Sequence, residues 1–182
     1  MVNIYKLKLT NLQQGILRLL FVKAGISLNQ RQISKFLEVT QPAVMKALPE
    51  LEKENTIKLQ QDKETRRWSI ELNRDHHKVM QLKRVDNLKQ IYESGLADFL
   101  EKEFAGATII LFGSYSRGED IFNSDIDIAV IGRKDKQIDT TNYEKLLGRT
   151  INLNFYGSFK NIHKHLKENL CNGIVLVGGV EL

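Results

Sequence analysis

Two aspartates, Asp125 and Asp127, flank Ile126 at the start of the apolar run Ile126-Asp127-Ile128-Ala129-Val130-Ile131. Side chains two apart on a strand share a face, so both carboxylates meet at one spot. Like charges that close repel unless a cation sits between them, and an all-oxygen site suits Mg²⁺ bound with a nucleotide's phosphates. Just upstream, Thr108-Ile109-Ile110-Leu111-Phe112-Gly113-Ser114 reads as a strand delivering the chain to a helix N-terminus. There, backbone N–H groups and the positive dipole end can hold phosphate. A phosphate cradle beside a carboxylate pair is equipment for phosphoryl or nucleotidyl transfer. Plainer readings exist for each part: a capping aspartate, a tight-turn glycine, a solvated Arg117. Two same-face acids inside an apolar strand would nonetheless burden an ordinary core, and that favours metal.

Gly113-Ser114, Arg117-Gly118 and Ser124-Asp125-Ile126-Asp127, in that order and between two β-branched runs, carry a specific likeness. The segment from roughly residue 105 to 182 resembles the DNA polymerase β-like nucleotidyltransferase superfamily, in particular its minimal branch. The resemblance implies transfer of a nucleoside monophosphate from a nucleoside triphosphate, with Mg²⁺ or Mn²⁺ as cofactor. By the same likeness, Gly113 and Ser114 hold the triphosphate tail, and Arg117 contacts phosphate or supports the loop. Asp125 and Asp127 are the catalytic metal ligands. A separate small helical protein completing the site is also compatible with it.

The resemblance further implies a third carboxylate on a later strand, ligating metal and helping to deprotonate the attacking hydroxyl. That strand is Ile151-Asn152-Leu153-Asn154-Phe155-Tyr156, whose alternation sets Leu153 and Phe155 on one face and Asn152 and Asn154 on the other. The expected acid position therefore carries asparagine, which can ligate a cation but cannot accept a proton at neutral pH. Glu144 belongs to the preceding helix and does not take over the role. The competing reading is a DNA-binding regulator whose transferase domain only binds nucleotide or supports assembly.

The elements that position this chemistry suggest an α+β chain in three parts. Residues 1–73 read as three helices and a hairpin. Leu12, Ile16, Leu17, Leu20 and Phe21 mark the first helix; Ser27 or Asn29 caps the second. Thr40 caps the third, with Pro42 in its first turn. The hairpin follows as Ile57-Lys58-Leu59 and Trp68-Ser69-Ile70-Glu71-Leu72 around a polar turn. The order resembles a winged helix-turn-helix of bacterial and archaeal transcription regulators. In that likeness Gln41, Pro42, Met45 and Lys46 face a groove of duplex DNA, while Lys63, Arg66 and Arg67 on the wing meet phosphate. Pro49 is expected to kink or break the third helix. Residues 74–105 read as one connecting helix with the stripe Val79, Leu82, Leu88, Ile91, Tyr92, Leu96 and Phe99, long enough for a homodimer seam. Residues 106–182 form the transferase-like domain.

Charge supports that division. Residues 1–73 hold 12 Lys/Arg against 7 Asp/Glu, and the chain's net +5 arises there. A basic head facing nucleic acid is the natural reading. The 182 residues, 42% of them hydrophobic, suffice for one ordinary domain or two small ones. No run has the length of a membrane span, and Met1–Thr10 lacks a signal-peptide pattern, so a cytoplasmic location without membrane contact is expected. The single cysteine, Cys171, excludes an internal disulfide framework and is expected to be a small buried residue.

Overall fold

Side-chain caps start the first three helices in the computed structural model, which describes residues 9–180. Thr10 and Gln13 cap α1 (Asn11–Val22) reciprocally, and Asn29 and Gln32 repeat the device on α2 (Gln30–Leu37). Of the two candidate caps for α2, Asn29 is therefore the one used. Thr40 caps α3 (Gln41–Lys53) through the N–H of Ala43 at 3.3 Å. Strands β1 (Ile57–Gln61) and β2 (Trp68–Leu72) then pair antiparallel, with Leu28 bridging to Ile70 alongside. Helix, helix, helix and hairpin make a winged helix-turn-helix. Ile16, Leu20, Ile33, Val44, Leu51 and Ile70 form its fully buried centre.

Two expectations about α3 are corrected. Met45 does not face outward; it is partly buried and packs on the core. Nor does Pro49 break the helix, which runs unbroken to Lys53. Pro49 sits on the exposed side while Leu48 and Leu51 are locked in the core on either side of it. That packing outweighs one missing backbone hydrogen bond.

The chain divides into compact units after Val79, inside α4 (His77–Glu93). In place of one connecting helix there are two: α4 ends before Ser94-Gly95, and α5 (Leu96–Glu103) follows. Gly95 has φ +77°, a left-handed conformation that interrupts the helix. The buried face of α4 also differs from the expected stripe. Val79, Lys83, Asn87 and Ile91 are buried, while Leu82, Val85 and Tyr92 are exposed. A polar partner, Asp120, selects that face.

The second unit is built on β3 (Thr108–Phe112), α6 (Gly113–Arg117), β4 (Ile126–Ile131), α7 (Thr141–Leu147), β5 (Ile151–Tyr156), a 3₁₀ turn at Phe159–Asn161, α8 (Lys164–Cys171) and β6 (Ile174–Val177). The sheet order is β5-β4-β3-β6. Strands β3 and β4 are antiparallel, β5 lies parallel to β4, and β6 lies antiparallel to β3. One face of the sheet buries Ile109, Leu111, Ile128 and Val130 with Leu96 and Leu100 of α5. The other buries Ile110, Ala129 and Ile131 beneath Phe159, Ile162 and Leu170. Covering both faces explains why the central strands are almost continuously apolar. Cys171, expected inside, is exposed at the end of α8, where Leu170 takes the buried position. Among the described residues, no helix is long and apolar enough to cross a membrane.

Candidate functional site

The site lies where β3 passes into α6. Phe112, the last residue of β3, is opposite Asp127 in the antiparallel register. Gly113 follows with φ +75°, and a Cβ there would lie 2.6 Å from Asp127 Oδ2. Glycine is thus required twice, by its backbone angle and by the neighbouring carboxylate. Ser114 stands in the first turn of α6, whose N-cap Phe112 makes no side-chain hydrogen bond to the helix start. Because α6 has only 5 residues, its macrodipole is slight, and local N–H groups are what a phosphate would meet.

Asp125 is exposed just before β4, and Asp127 is half-buried within it. Parallel pairing sets Asn152 opposite Asp127. The Asn152 amide Nδ2 donates to Asp125 Oδ2 at 3.2 Å and to Asp127 Oδ1 at 3.3 Å. The two carboxylates therefore converge on one point, now held by a long-bonded amide. Asn154 pairs with Ala129 instead, and its amide reaches only the Asn152 carbonyl at 3.4 Å. Strand alternation could not rank the two asparagines; the register does. Glu144 is engaged elsewhere, its Oε1 accepting from Ile151 N at 2.8 Å.

Among the described residues no cluster of three or more His, Cys, Asp or Glu could hold a metal. The donor set nonetheless fits one hard divalent cation. Two carboxylates already share a focus, and Asn152 turned end for end would present its carbonyl oxygen there. Mg²⁺ commonly takes one or two carboxylates and completes its shell with phosphate and water. The set does not by itself supply a proton acceptor beyond the metal ligands.

Arg117 pairs through Nε with Glu119 at 2.7 Å, bracing the end of α6. Tyr156, on the same face of β5 as Asn152, has its hydroxyl pKa raised above 10.0, by burial first and by the charge of Asp127 second. Asp127→Asn is therefore expected to bring the Tyr156 titration back toward the ordinary range without reaching it, since burial remains. Difference absorbance of tyrosinate on alkaline titration, against a Tyr156→Phe control, checks this.

A buried polar cluster behind the site carries no recognisable motif. Asp120 accepts from Lys83 Nζ, from Asn87 Nδ2 at 2.7 Å and from Arg149 Nη2 at 3.0 Å. Asn87 also donates to the Tyr115 carbonyl at 2.9 Å, and Arg149 to the Ile121 carbonyl. The one sequence signal was the spacing of Val79, Lys83, Asn87 and Ile91, four apart along a single stripe.

In the N-terminal unit, Gln41 and Lys46 are exposed on α3. Lys63, Arg66 and Arg67 are exposed on the wing tip. Asp62 orders that tip: its Oδ1 accepts from the backbone N–H of Thr65 at 2.7 Å and of Glu64 at 3.1 Å. The backbone hydrogen bond from Thr65 is also the first cause of its lowered pKa. Arg66 adopts φ +53° to close the turn. The wing cations and Lys46 thus stand on different elements of this unit.

Comparison with known proteins adds three findings. The structure of a zinc-responsive MarR family member, Lactococcus lactis ZitR, gives a TM-score of 0.41 at 21% identity, covering 56% of this chain and 67% of that one. The adhesin competence repressor AdcR of Streptococcus pyogenes gives 0.42 at 25% identity over 57% and 72%. A Staphylococcus aureus MepR–DNA complex gives 0.38 at 28% identity over 52% and 78%. No curated protein matches the chain. Residues 93–177, which contain Gly113, Asp125, Asp127 and Asn152, match the family model described as a nucleotidyltransferase domain.

Proposed function

We propose that the chain is a nucleotidyltransferase-family protein with a DNA-binding winged-helix head, moving a nucleoside monophosphate from a nucleoside triphosphate to an acceptor at an attenuated rate. The observation that carries this reading is the convergence of Asp125 and Asp127 on one point beside Gly113. A bound Mg²⁺ or Mn²⁺ would polarise the α-phosphate and offset its developing charge. Asp125, Asp127 and the Asn152 carbonyl would hold the cation. The Gly113 and Ser114 backbone would orient the triphosphate tail, which favours in-line attack. Asn152 cannot take the proton of the attacking hydroxyl, and this is the source of attenuation. Such a protein works where nucleotides and DNA are, in the cytoplasm.

Incubation with labelled nucleoside triphosphates, Mg²⁺ or Mn²⁺ and candidate protein or RNA acceptors tests the reading. Label must appear on an acceptor and vanish when metal is chelated. Metal-dependent binding without transfer would instead support the second reading, favoured by the neutral Asn152: a DNA-binding regulator with a nucleotide-sensing domain. Light scattering of the full chain, alone and with a small helical partner protein if one is found, decides between monomer, homodimer and hetero-complex.

Support for DNA binding comes from the positive residues on the wing and the exposed Gln41 and Lys46 on α3. Changing Lys63, Arg66 and Arg67 together to alanine is expected to weaken all duplexes alike. Neutralising a phosphate releases counterions, so the log–log salt slope falls by about 0.9 for each phosphate that is no longer neutralised. Gln41→Ala and Lys46→Ala are expected to narrow the gap between preferred and random duplexes. Fluorescence anisotropy at several salt concentrations reads both. An unchanged slope in the triple variant removes the wing from the interface.

A further inference from the structure

The Asp120 cluster lies outside the phosphate and carboxylate residues, yet it grips the segment that joins them. Asp120 and Ile121 sit between α6, which starts at Gly113, and Asp125, which precedes β4. Three elements hold that segment. From α4 come Lys83 and Asn87, both on Asp120 Oδ1. From the turn between α7 and β5 comes Arg149, on Asp120 Oδ2 and on the Ile121 carbonyl. From α6 itself the Ser114 carbonyl accepts the N–H of Glu119 at 2.9 Å. The approach to α4 is close: a Cβ on Gly118 would lie 2.6 Å from the Met80 carbonyl oxygen and 2.8 Å from the Arg84 nitrogen.

The side chains of Lys83 and Asp120 are fully buried, and that of Arg149 is 3% exposed. Stability is a poor reason for such an arrangement. Taking these charges out of water costs roughly what their pairing returns, and an apolar cluster of similar volume would hold the same elements together. What the charges add is direction. A carboxylate gripped from two sides fixes the path of the backbone through it, which oily side chains do not. The fixed path ends at Asp125, the more exposed of the two carboxylates, whose own hydrogen bond is a long one to Asn152 at 3.2 Å.

We infer that Asp120 is a positioning residue, clamped by Lys83, Asn87 and Arg149 so that Asp125 is held against Asp127 at the distance a shared cation requires. Asp120 does not touch the cation or the nucleotide. The inference rests on the reading of Asp125 and Asp127 as a metal–nucleotide site. It goes further by naming the group that sets their geometry. Supporting residues behind metal ligands commonly change affinity by about 10–100-fold when altered.

The test uses the full chain, Mn²⁺ as the probe cation and a non-hydrolysable ATP analogue as the probe nucleotide. Mn²⁺ binding is read by the loss of its free electron paramagnetic resonance signal, and nucleotide binding by calorimetry with and without Mn²⁺. Asp120→Asn, if folded by circular dichroism, is expected to weaken Mn²⁺ by about tenfold or more. Nucleotide binding measured without metal is expected to stay near the parent value, because Gly113 and Ser114 are untouched. A merely structural role predicts the other pattern, both affinities kept or both reduced together, and either result overturns the inference. Should Asp120→Asn fail to fold, Arg149→Lys decides: it keeps the charge but loses the forked grip on Asp120 and Ile121, and the same selective loss of Mn²⁺ affinity is expected. A parent that binds no Mn²⁺ with the nucleotide overturns the site reading itself, and the inference with it. Parent binding with unchanged affinity in the folded variants overturns the inference alone.

Discussion

Changing Asp125 and Asp127 together to asparagine is expected to remove Mg²⁺-dependent nucleotide binding and to leave the chain folded, with equal or slightly higher stability in the absence of metal. Both carboxylates sit within 3.3 Å of one amide nitrogen, so they repel each other across a point where only a weak donor intervenes. Two amides relieve that repulsion at almost the same volume. Neither residue belongs to the fully buried core, and the side-chain hydrogen bonds given up are the long ones from Asn152. With Mg²⁺ and nucleotide the order reverses. A ligand at about a hundred times its dissociation constant stabilises the parent by about 2.7 kcal/mol, and the double variant gains none of it. Calorimetric titration and paired melting curves with and without Mg²⁺–nucleotide measure both halves. Equal affinity in variant and parent would sink the metal assignment.

Restoring a carboxylate at Asn152 is the change expected to raise activity most. The parallel register sets this residue opposite Asp127, and its side chain already points at the focus of both acids. Asn152→Asp needs no backbone movement. It would add charge to the cation site and place a proton acceptor beside the attacking hydroxyl, a gain of roughly 10²–10⁴ in general-base cases. Asn154→Asp is expected to do little, since that residue lies beside Ala129 and bonds only to the backbone of Asn152. Metal-free stability supplies an independent check. A third like charge at one spot adds repulsion, so Asn152→Asp is expected to lower metal-free stability and Mg²⁺ to restore it. Initial rates of transfer, and melting temperatures with and without Mg²⁺, read the two effects. If the parent already transfers nucleotide at a rate that neither substitution improves, another group supplies the acceptor.

Much of the geometry of the candidate site was legible because its determinants are local. Gly113 before a helix turn, Asp125 and Asp127 two apart, and Asn152 on an alternating strand depend on spacing within one element. The Thr40 cap was equally plain, being decided within three residues, whereas the cap of α2 stayed open between Ser27 and Asn29. What spacing could not settle were choices made by distant partners. Pro49 looks like a helix breaker until the anchoring of Leu48 and Leu51 on both sides is taken into account. The stripe through Leu82 and Tyr92 is the more hydrophobic one, yet α4 buries Lys83 and Asn87 because Asp120 waits on the facing segment. The ranking of Asn152 over Asn154 needed the register between β4 and β5, which no single strand contains.

The seat of Asn152 also has a genetic consequence. Asparagine and aspartate codons differ by a single base, and the two side chains differ by one terminal group on the same skeleton. Because the strand already presents this residue to both acids, one transition mutation is enough to change the charge at the focus while the surrounding backbone stays as it is. Gly113 offers no such freedom, since any side chain there collides with Asp127. A library mutagenised across this domain and selected for transfer should therefore recover the aspartate at 152 early and repeatedly, while position 113 returns glycine alone. In a lineage, such a site could pass between a quiet and an active form by the smallest step heredity allows.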